Sequence, residues 1–147
     1  MPLLASTVNR GGPAALAGLL VLWPAAPPPP GKGERLAIDL RRAYEAPARP
    51  SERWRRRPVV TLTDGREVAR DEAYRDAPDF VPAARLLLES RSGDDAPLGA
   101  WLLGTLPEAR RAEAEPVLAE ALAHRDPRAA FEAAQALAVA GGEAARD

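Results

Sequence analysis

Apolar residues recur every three or four positions through the C-terminal half of the chain, which predicts helices. Pro82 can occupy the first turn of a helix that runs to Glu89, and Gly93 lies after its end. Asp94 or Asp95 can cap a second helix. The apolar face of this second helix carries Leu98, Trp101, Leu102 and Leu106.

Two more helices are predicted after Pro107. The third continues to His124, and the fourth begins at Asp126-Pro127, where an aspartate cap precedes a first-turn proline. Gly141-Gly142 is expected to end the fourth helix. Its apolar face is formed by Ala130, Phe131, Ala134, Leu137 and Ala138. We expect Leu103 and Leu137 to face the core.

The middle of the chain has a different pattern. Residues 34–45 have helix-like spacing over about three turns, before prolines at 47 and 50 stop the helix. Residues 59–63 are β-branched and apolar, and Asp64-Gly65 separates them from residues 66–69. This pattern predicts a small β-hairpin near 58–69.

The first 30 residues resemble a targeting segment. Arg10 precedes an apolar run over residues 14–23, which is too short to span a bilayer as a regular helix, and small residues follow. Four prolines at 27–30 then form a stiff spacer. We expect this segment to be disordered and the protein to be exported, periplasmic or membrane-associated, with a cytoplasmic protein as the alternative.

Charge divides the chain further. The net charge is -1, from 20 Lys+Arg and 21 Asp+Glu. Residues 31–60 carry nine basic and four acidic groups, and residues 61–147 carry ten and seventeen. We therefore predict three parts: the N-terminal segment 1–30, a basic segment 31–78 with a short helix and the hairpin, and a helical domain 79–147.

Composition excludes several kinds of site. The chain has no Cys and one His, which removes thiolate metal sites, Cys nucleophiles and most catalytic triads. His124-Arg125-Asp126 matches a kinase triplet, but Phe131 stands where that motif needs Asn. We therefore predict no catalytic residue, no metal ligand and no cofactor, and we interpret the aspartates at 94 and 95 as helix caps.

The helical part repeats at an offset of 34 residues, which pairs Pro82 with Pro116 and Leu103 with Leu137. Residues 115–127, followed by residues 128–141, resemble a HEAT-repeat junction, with an apolar helix, an Asp-Pro turn and an Ala- and Leu-rich helix before Gly. The resemblance extends loosely over about residues 79–142. It implies a short α-solenoid of about two helix pairs that binds partners rather than catalysing a reaction.

The basic stretch Arg53, Trp54, Arg55, Arg56 and Arg57 is the second candidate surface. Arginine pairs with phosphates and tryptophan can stack on bases or lie at a membrane interface. However, 19 of the 20 basic residues are arginine, which indicates a codon bias that also supplies arginines without function.

The function predicted from these features is a non-catalytic adaptor that binds a protein partner through the Trp101 helix face and Arg53–Arg57. The first alternative is a binder of anionic surfaces, either lipid headgroups or nucleic acid, through the basic stretch. The net charge makes nucleic acid the less favoured partner. A small enzyme with carboxylate acid–base chemistry is the second alternative.

Overall fold

The computed structural model describes residues 28–49, 52–57, 59–69 and 73–144. The predictions for residues 1–27 fall outside these ranges. In the described ranges the chain forms five α-helices, four short strands and a 3-10 turn. The helices are α1 (Lys32–Ala43), α2 (Phe80–Glu89), α3 (Asp95–Gly104), α4 (Glu108–Ala121) and α5 (Pro127–Ala144). The strands are β1 (Tyr44–Glu45), β2 (Arg55–Arg56), β3 (Val59–Thr61) and β4 (Glu67–Ala69), and the 3-10 turn is Ala73–Asp76. The predicted mainly helical fold is confirmed.

The predicted hairpin is also confirmed. Strands β3 and β4 pair antiparallel, with Val60 opposite Val68. Gly65 adopts a φ of 85°, which explains the glycine in this turn, because an L side chain rarely tolerates that conformation. The hairpin is attached to α1 by Asp39, whose carboxylate accepts hydrogen bonds from the backbone N–H and the hydroxyl of Thr63 at 2.8 and 3.3 Å.

A second strand pair was not predicted. β1 and β2 pair antiparallel, with Tyr44 opposite Arg56. The N–H of Arg57 also donates to the carbonyl of Ala43 at 2.8 Å. Because each strand has only two residues and the partners lie about a dozen residues apart, no local periodicity reveals this pairing. The pairing holds the basic stretch against the end of α1.

Helix α3 is the centre of the fold. It packs against α2 and α5 and also contacts α4, so that apolar residues are buried on all sides of it. Gly99 permits the contact with α2, because a Cβ at this position would lie 2.5 Å from the carbonyl oxygen of Ala84. Helix α1 packs on α2 and covers the first helix pair. The two predicted parts 31–78 and 79–147 both contribute residues to one hydrophobic core.

Helix α5 corrects the sequence analysis in two respects. Its fully buried residues are Ala129 and Ala133, whereas Phe131 is 53% exposed. The reason is the close approach of α5 to α3, where a Cβ on Gly104 would lie 2.8 Å from the Cβ of Ala136. Such an approach selects small residues for the interface and leaves the phenylalanine outside. The helix also continues through Gly141-Gly142, since glycine weakens a helix without forbidding it.

Four further predicted residues, two in the core and two at the start of α3, can be compared with the structure. Leu103 is 1% exposed, as predicted, and Leu137 is partly buried against the core. Asp94 occupies the N-cap position of α3, as predicted, but its side chain makes no capping hydrogen bond. Asp95 is buried instead and binds Arg41.

The two helix pairs are stacked in register. Side-chain bonds between them join residues that are 34 to 36 positions apart, close to the offset of the sequence repeat. The bonded pairs are Arg85 with Glu120, His124 with the carbonyl of Leu88, Arg125 with the carbonyl of Ser90, and Arg128 with Asp94. This arrangement is compatible with a short helical repeat.

One local motif occurs in both units. The backbone N–H of Ser92 donates to the Oγ of Ser90 at 3.1 Å, and 34 residues later the N–H of Asp126 donates to the Nδ1 of His124 at 3.0 Å. In each case a side chain just beyond a helix end satisfies the backbone two residues further on. The turn geometry therefore repeats although the residue type does not.

Candidate protein-binding groove

Two of the predicted site residues, Trp54 and Trp101, meet in one aromatic cluster. The Tyr44 ring stands edge-on to Trp101, with ring centroids 5.3 Å apart, and Trp54 lies 6.4 Å from Trp101 on the same measure. The β1–β2 pair positions both outer rings, because Tyr44 belongs to β1 and Trp54 directly precedes β2. The Trp101 face of α3, which the sequence predicts as a partner surface, is therefore partly covered by Tyr44 and Trp54. Trp101 packs against Trp54.

The basic stretch alternates between an outer and an inner side. Arg53, Arg55 and Arg57 are exposed, whereas Trp54 and Arg56 are half-buried. This is the period of an extended strand. The Arg56 guanidinium carbon lies 5.9 Å from the centroid of the Tyr44 ring, which is within the range of a cation–π contact.

The outer arginines pair only loosely with neighbouring acids. The nearest nitrogen–oxygen distance is 3.8 Å from Arg55 to Glu52 and 3.5 Å from Arg57 to Glu45. Both arginine side chains are at least half exposed, so these pairs contribute little to stability. The outer side of the stretch therefore presents positive charge to solvent.

A groove of about 430 Å³ runs between Trp54 and helix α5, and we call it the Trp54–Phe131 groove. One side is formed by Trp54 and the segment Ala46–Ala48, and the other by the first turns of α3 and α5. Its lining residues are Ala46, Pro47, Ala48, Trp54, Asp94, Pro97, Pro127, Arg128, Phe131 and Glu132. Prolines have few conformations to lose on binding, so these walls are pre-organised.

Local sequence explains why these groups line the groove. Pro97 and Pro127 lie in the first turns of α3 and α5, where the missing N–H costs no helical hydrogen bond. Phe131 lies one turn after Pro127 and therefore projects from the same side of α5. Two helix starts placed side by side by the stacked units thus supply one wall.

The charged residues that line the groove differ in whether they have a charged partner. Arg128 binds Asp94 across the two units and also binds Asp126, 3.0 Å away. These hydrogen bonds, first to Asp126 and then to Asp94, raise the pKa of Arg128. The hydrogen bond from Arg128 in turn lowers the pKa of Asp126. Burial raises the pKa of Glu132.

A smaller groove of about 260 Å³ adjoins the first and shares Ala46, Trp54 and Asp94 with it. Its floor is the ion pair between Arg41 and Asp95, with two bonds of 2.7 and 2.6 Å. The Ser90 hydroxyl donates to the same carboxylate at 2.6 Å. The buried Asp95 therefore accepts three hydrogen bonds from two residues, which fixes the end of α1 against the start of α3.

A third depression of about 390 Å³ lies between α2 and α4 and is bordered by His124. The Nε2 atom of His124 is 2.9 Å from the carbonyl oxygen of Leu88, and its Nδ1 accepts from Asp126. A neutral imidazole protonated on Nε2 satisfies both contacts. The Nε2 atom thus joins the two helix pairs and the Nδ1 atom satisfies the backbone of the turn before α5, which is a structural role.

Three residues that line the groove were not predicted as site residues: Phe131, Glu132 and Pro47. Phe131 was assigned to the buried face of its helix because its spacing fits the apolar pattern. The available signal was its size, since it is the single aromatic residue in an alanine-rich helix. Pro47 was interpreted only as a helix stop.

Within the described residues, no three His, Asp or Glu side chains form a group able to hold a metal ion. No helix among them is long and apolar enough to span a membrane. Comparison with protein-family models, curated proteins and solved structures also finds no match for this chain.

Proposed function

We propose that this protein is a non-catalytic adaptor that binds a segment of a protein partner in the Trp54–Phe131 groove. The observation that carries the proposal is the groove itself, with an exposed phenylalanine and a tryptophan on opposite sides. Aromatic residues in preformed clefts supply much of the binding energy of protein interfaces. Trp54 is supported by Trp101, so this wall is held in place before a partner binds.

The stacked helix pairs support the same proposal. Helical-repeat proteins use the surface of consecutive helices to bind partners, and the resemblance to HEAT repeats implies that use here. The groove crosses from the start of α3 to the start of α5, which are equivalent positions in the two units. Export or membrane association of this adaptor remains a prediction from residues 1–30.

Site-specific photo-crosslinking tests the proposal. A benzophenone amino acid replaces Phe131 in one sample and Ala119, an exposed residue of α4, in the control. We expect a defined protein to be captured at position 131 and not at 119. That protein is then purified, and its dissociation constant is measured with F131A and with L122A, which removes another exposed apolar side chain.

We expect F131A to weaken binding by about tenfold or more, since truncating a central aromatic residue commonly costs over 1 kcal/mol. L122A should leave the dissociation constant unchanged. Equal capture at both positions, or equal affinity of F131A and the parent, would contradict the proposal. Circular dichroism of F131A should match the parent, because the side chain is exposed.

Binding of anionic surfaces is a second candidate function, supported by the outward side chains of Arg53, Arg55 and Arg57. The test is binding to phosphatidylserine vesicles and to a single-stranded oligonucleotide between about 50 and 200 mM salt, a range over which phosphate contacts weaken steeply. Changing all three arginines to Gln should abolish binding and leave the free energy of unfolding within about 1 kcal/mol. The control variant carries Gln at three exposed arginines elsewhere and has the same net charge as the test variant. These arginines are Arg66, Arg91 and Arg125. Equal loss in both variants would indicate net charge rather than this stretch.

A further inference from the structure

We infer that the Trp54–Phe131 groove accepts a lysine or arginine side chain of the partner, and that Glu132 is the residue that binds it. This inference rests on the proposed function and specifies the chemistry of the partner segment. It is drawn from the placement of Glu132, from the pairing of the other charges around it and from the aromatic walls.

Glu132 is a carboxylate that lacks a counter-charge in the part of the chain that the structure describes. It lines the groove, and among the described residues no hydrogen bond or ion pair reaches it. It is half-buried, and this burial raises its pKa. An ionised carboxylate in partly apolar surroundings is unfavourable, and a cation placed beside it removes the penalty.

The other charged residues that line the groove are already matched. Arg128 binds Asp94 and also Asp126, so neither the guanidinium nor Asp94 needs a charged partner. Arg53 and Arg55 flank Trp54 in sequence, but they lie on the outer, exposed side of the stretch, where solvent screens them. The charge that the groove leaves uncompensated is therefore negative.

The groove walls favour a cationic group at the end of an alkyl chain. Trp54 and Phe131 both line the groove, and aromatic rings attract ammonium and guanidinium groups. Lysine and arginine also carry long apolar stems, which suit the proline-rich walls. A volume of about 430 Å³ accommodates such a side chain together with an apolar neighbour. A peptide segment with a basic residue next to apolar residues fits all of these features.

A displayed library of random peptides tests the inference on the full chain. Selections are run in parallel on the parent, on Glu132→Gln, on Phe131→Ala and on Glu115→Gln, which removes an exposed acid from α4. The parent and the Glu115 variant should enrich peptides with Lys or Arg at a fixed distance from an apolar residue. The Glu132 variant should keep the apolar preference and lose the basic one. The Phe131 variant should enrich neither.

The best selected peptide is then synthesised with lysine and with norleucine at the basic position. Replacing lysine should weaken binding to the parent by about tenfold, the scale of a desolvated charge pair, and should have little effect on the Glu132 variant. The pKa of the Glu132 carboxyl, followed by carbon-13 NMR, should fall when the lysine peptide binds and not when the norleucine peptide binds.

The possible failures separate the two proposals. Peptides that depend on Phe131 but lack a basic residue, or that enrich acidic ones, would overturn this inference and leave the proposed function standing. A failure to find any Phe131-dependent peptide, together with equal crosslinking at positions 131 and 119, would overturn both. Binding restricted to anionic vesicles or oligonucleotides through Arg53 and Arg55 would overturn both in favour of an anionic-surface binder.

Discussion

Gly99→Ala tests the packing of α2 against α3, on which the rest of the fold depends. The added Cβ would lie 2.5 Å from the carbonyl oxygen of Ala84 and 2.9 Å from the backbone nitrogen of Leu88. It would also lie 3.1 Å from the Cβ of Leu87. The first two neighbours are backbone atoms of α2, so no side-chain rotation can relieve the contact, and the two helices must move apart.

The magnitude follows from two opposing effects. Overpacking a well-packed interface costs about 1–3 kcal/mol, and contacts with backbone favour the upper end. Alanine is the better helix former by about 1 kcal/mol, which offsets part of the loss. We therefore expect Gly99→Ala to lower the free energy of unfolding by about 2 kcal/mol.

Urea denaturation followed by circular dichroism measures this change. The matched control is Gly142→Ala in α5, where a Cβ would meet nothing within 4 Å. With no packing cost, this control should gain about 0.5–1 kcal/mol. If Gly99→Ala were as stable as the parent, or more stable, α2 and α3 would not approach as closely as described and the central position of α3 would be refuted.

Three further predictions concern single side chains. Leu103→Ala should cost about 2–5 kcal/mol in denaturation experiments, because Leu103 is fully buried, and a loss below about 0.5 kcal/mol would contradict its place in the core. Arg41→Met should cost about 1–3 kcal/mol, less than a fully buried pair, because Asp95 loses its cation while Arg41 is half exposed. Its control, Arg42→Met, removes one exposed bond and should cost under about 1 kcal/mol, so an equal loss in both would refute the special role of the Asp95 pair. For Glu132, the raised pKa means that the folded state holds the proton more tightly than the unfolded chain, so stability falls as pH rises through that pKa. Glu132→Gln should therefore stabilise the protein more at pH 7 than below the ordinary value of 4.5, and a pH-independent difference would count against the burial of this carboxyl.

The helices and the hairpin could be predicted because their signals are local. Helical spacing of apolar residues, prolines at Pro82, Pro97 and Pro127, and the Asp64-Gly65 turn all act within a few residues. They bias the local backbone conformation without reference to distant contacts. The offset of 34 residues could also be found in the sequence, and the bond between Arg128 and Asp94 spans that distance.

The candidate site could be predicted only in part. Trp54 and Trp101 were identified as surface residues, but their contact depends on the pairing of β1 with β2, which leaves no periodic signal. Asp95 was interpreted as a cap, because a sequence does not reveal that Arg41, 54 residues earlier, will reach it. Phe131 was assigned to the core because spacing shows which residues share a face and not which face is covered.

By itself, therefore, the sequence determined the type and order of the helices and of the β3–β4 hairpin, since propensities, caps and turns are properties of neighbouring residues. Tertiary structure decided which helix lies at the centre, which face of α5 is buried and which charge is left without a partner. The physical reason is the close approach of α5 to α3 at Gly104 and Ala136, which only small residues permit. That contact leaves Phe131 exposed, and Phe131 and Glu132 both line the groove.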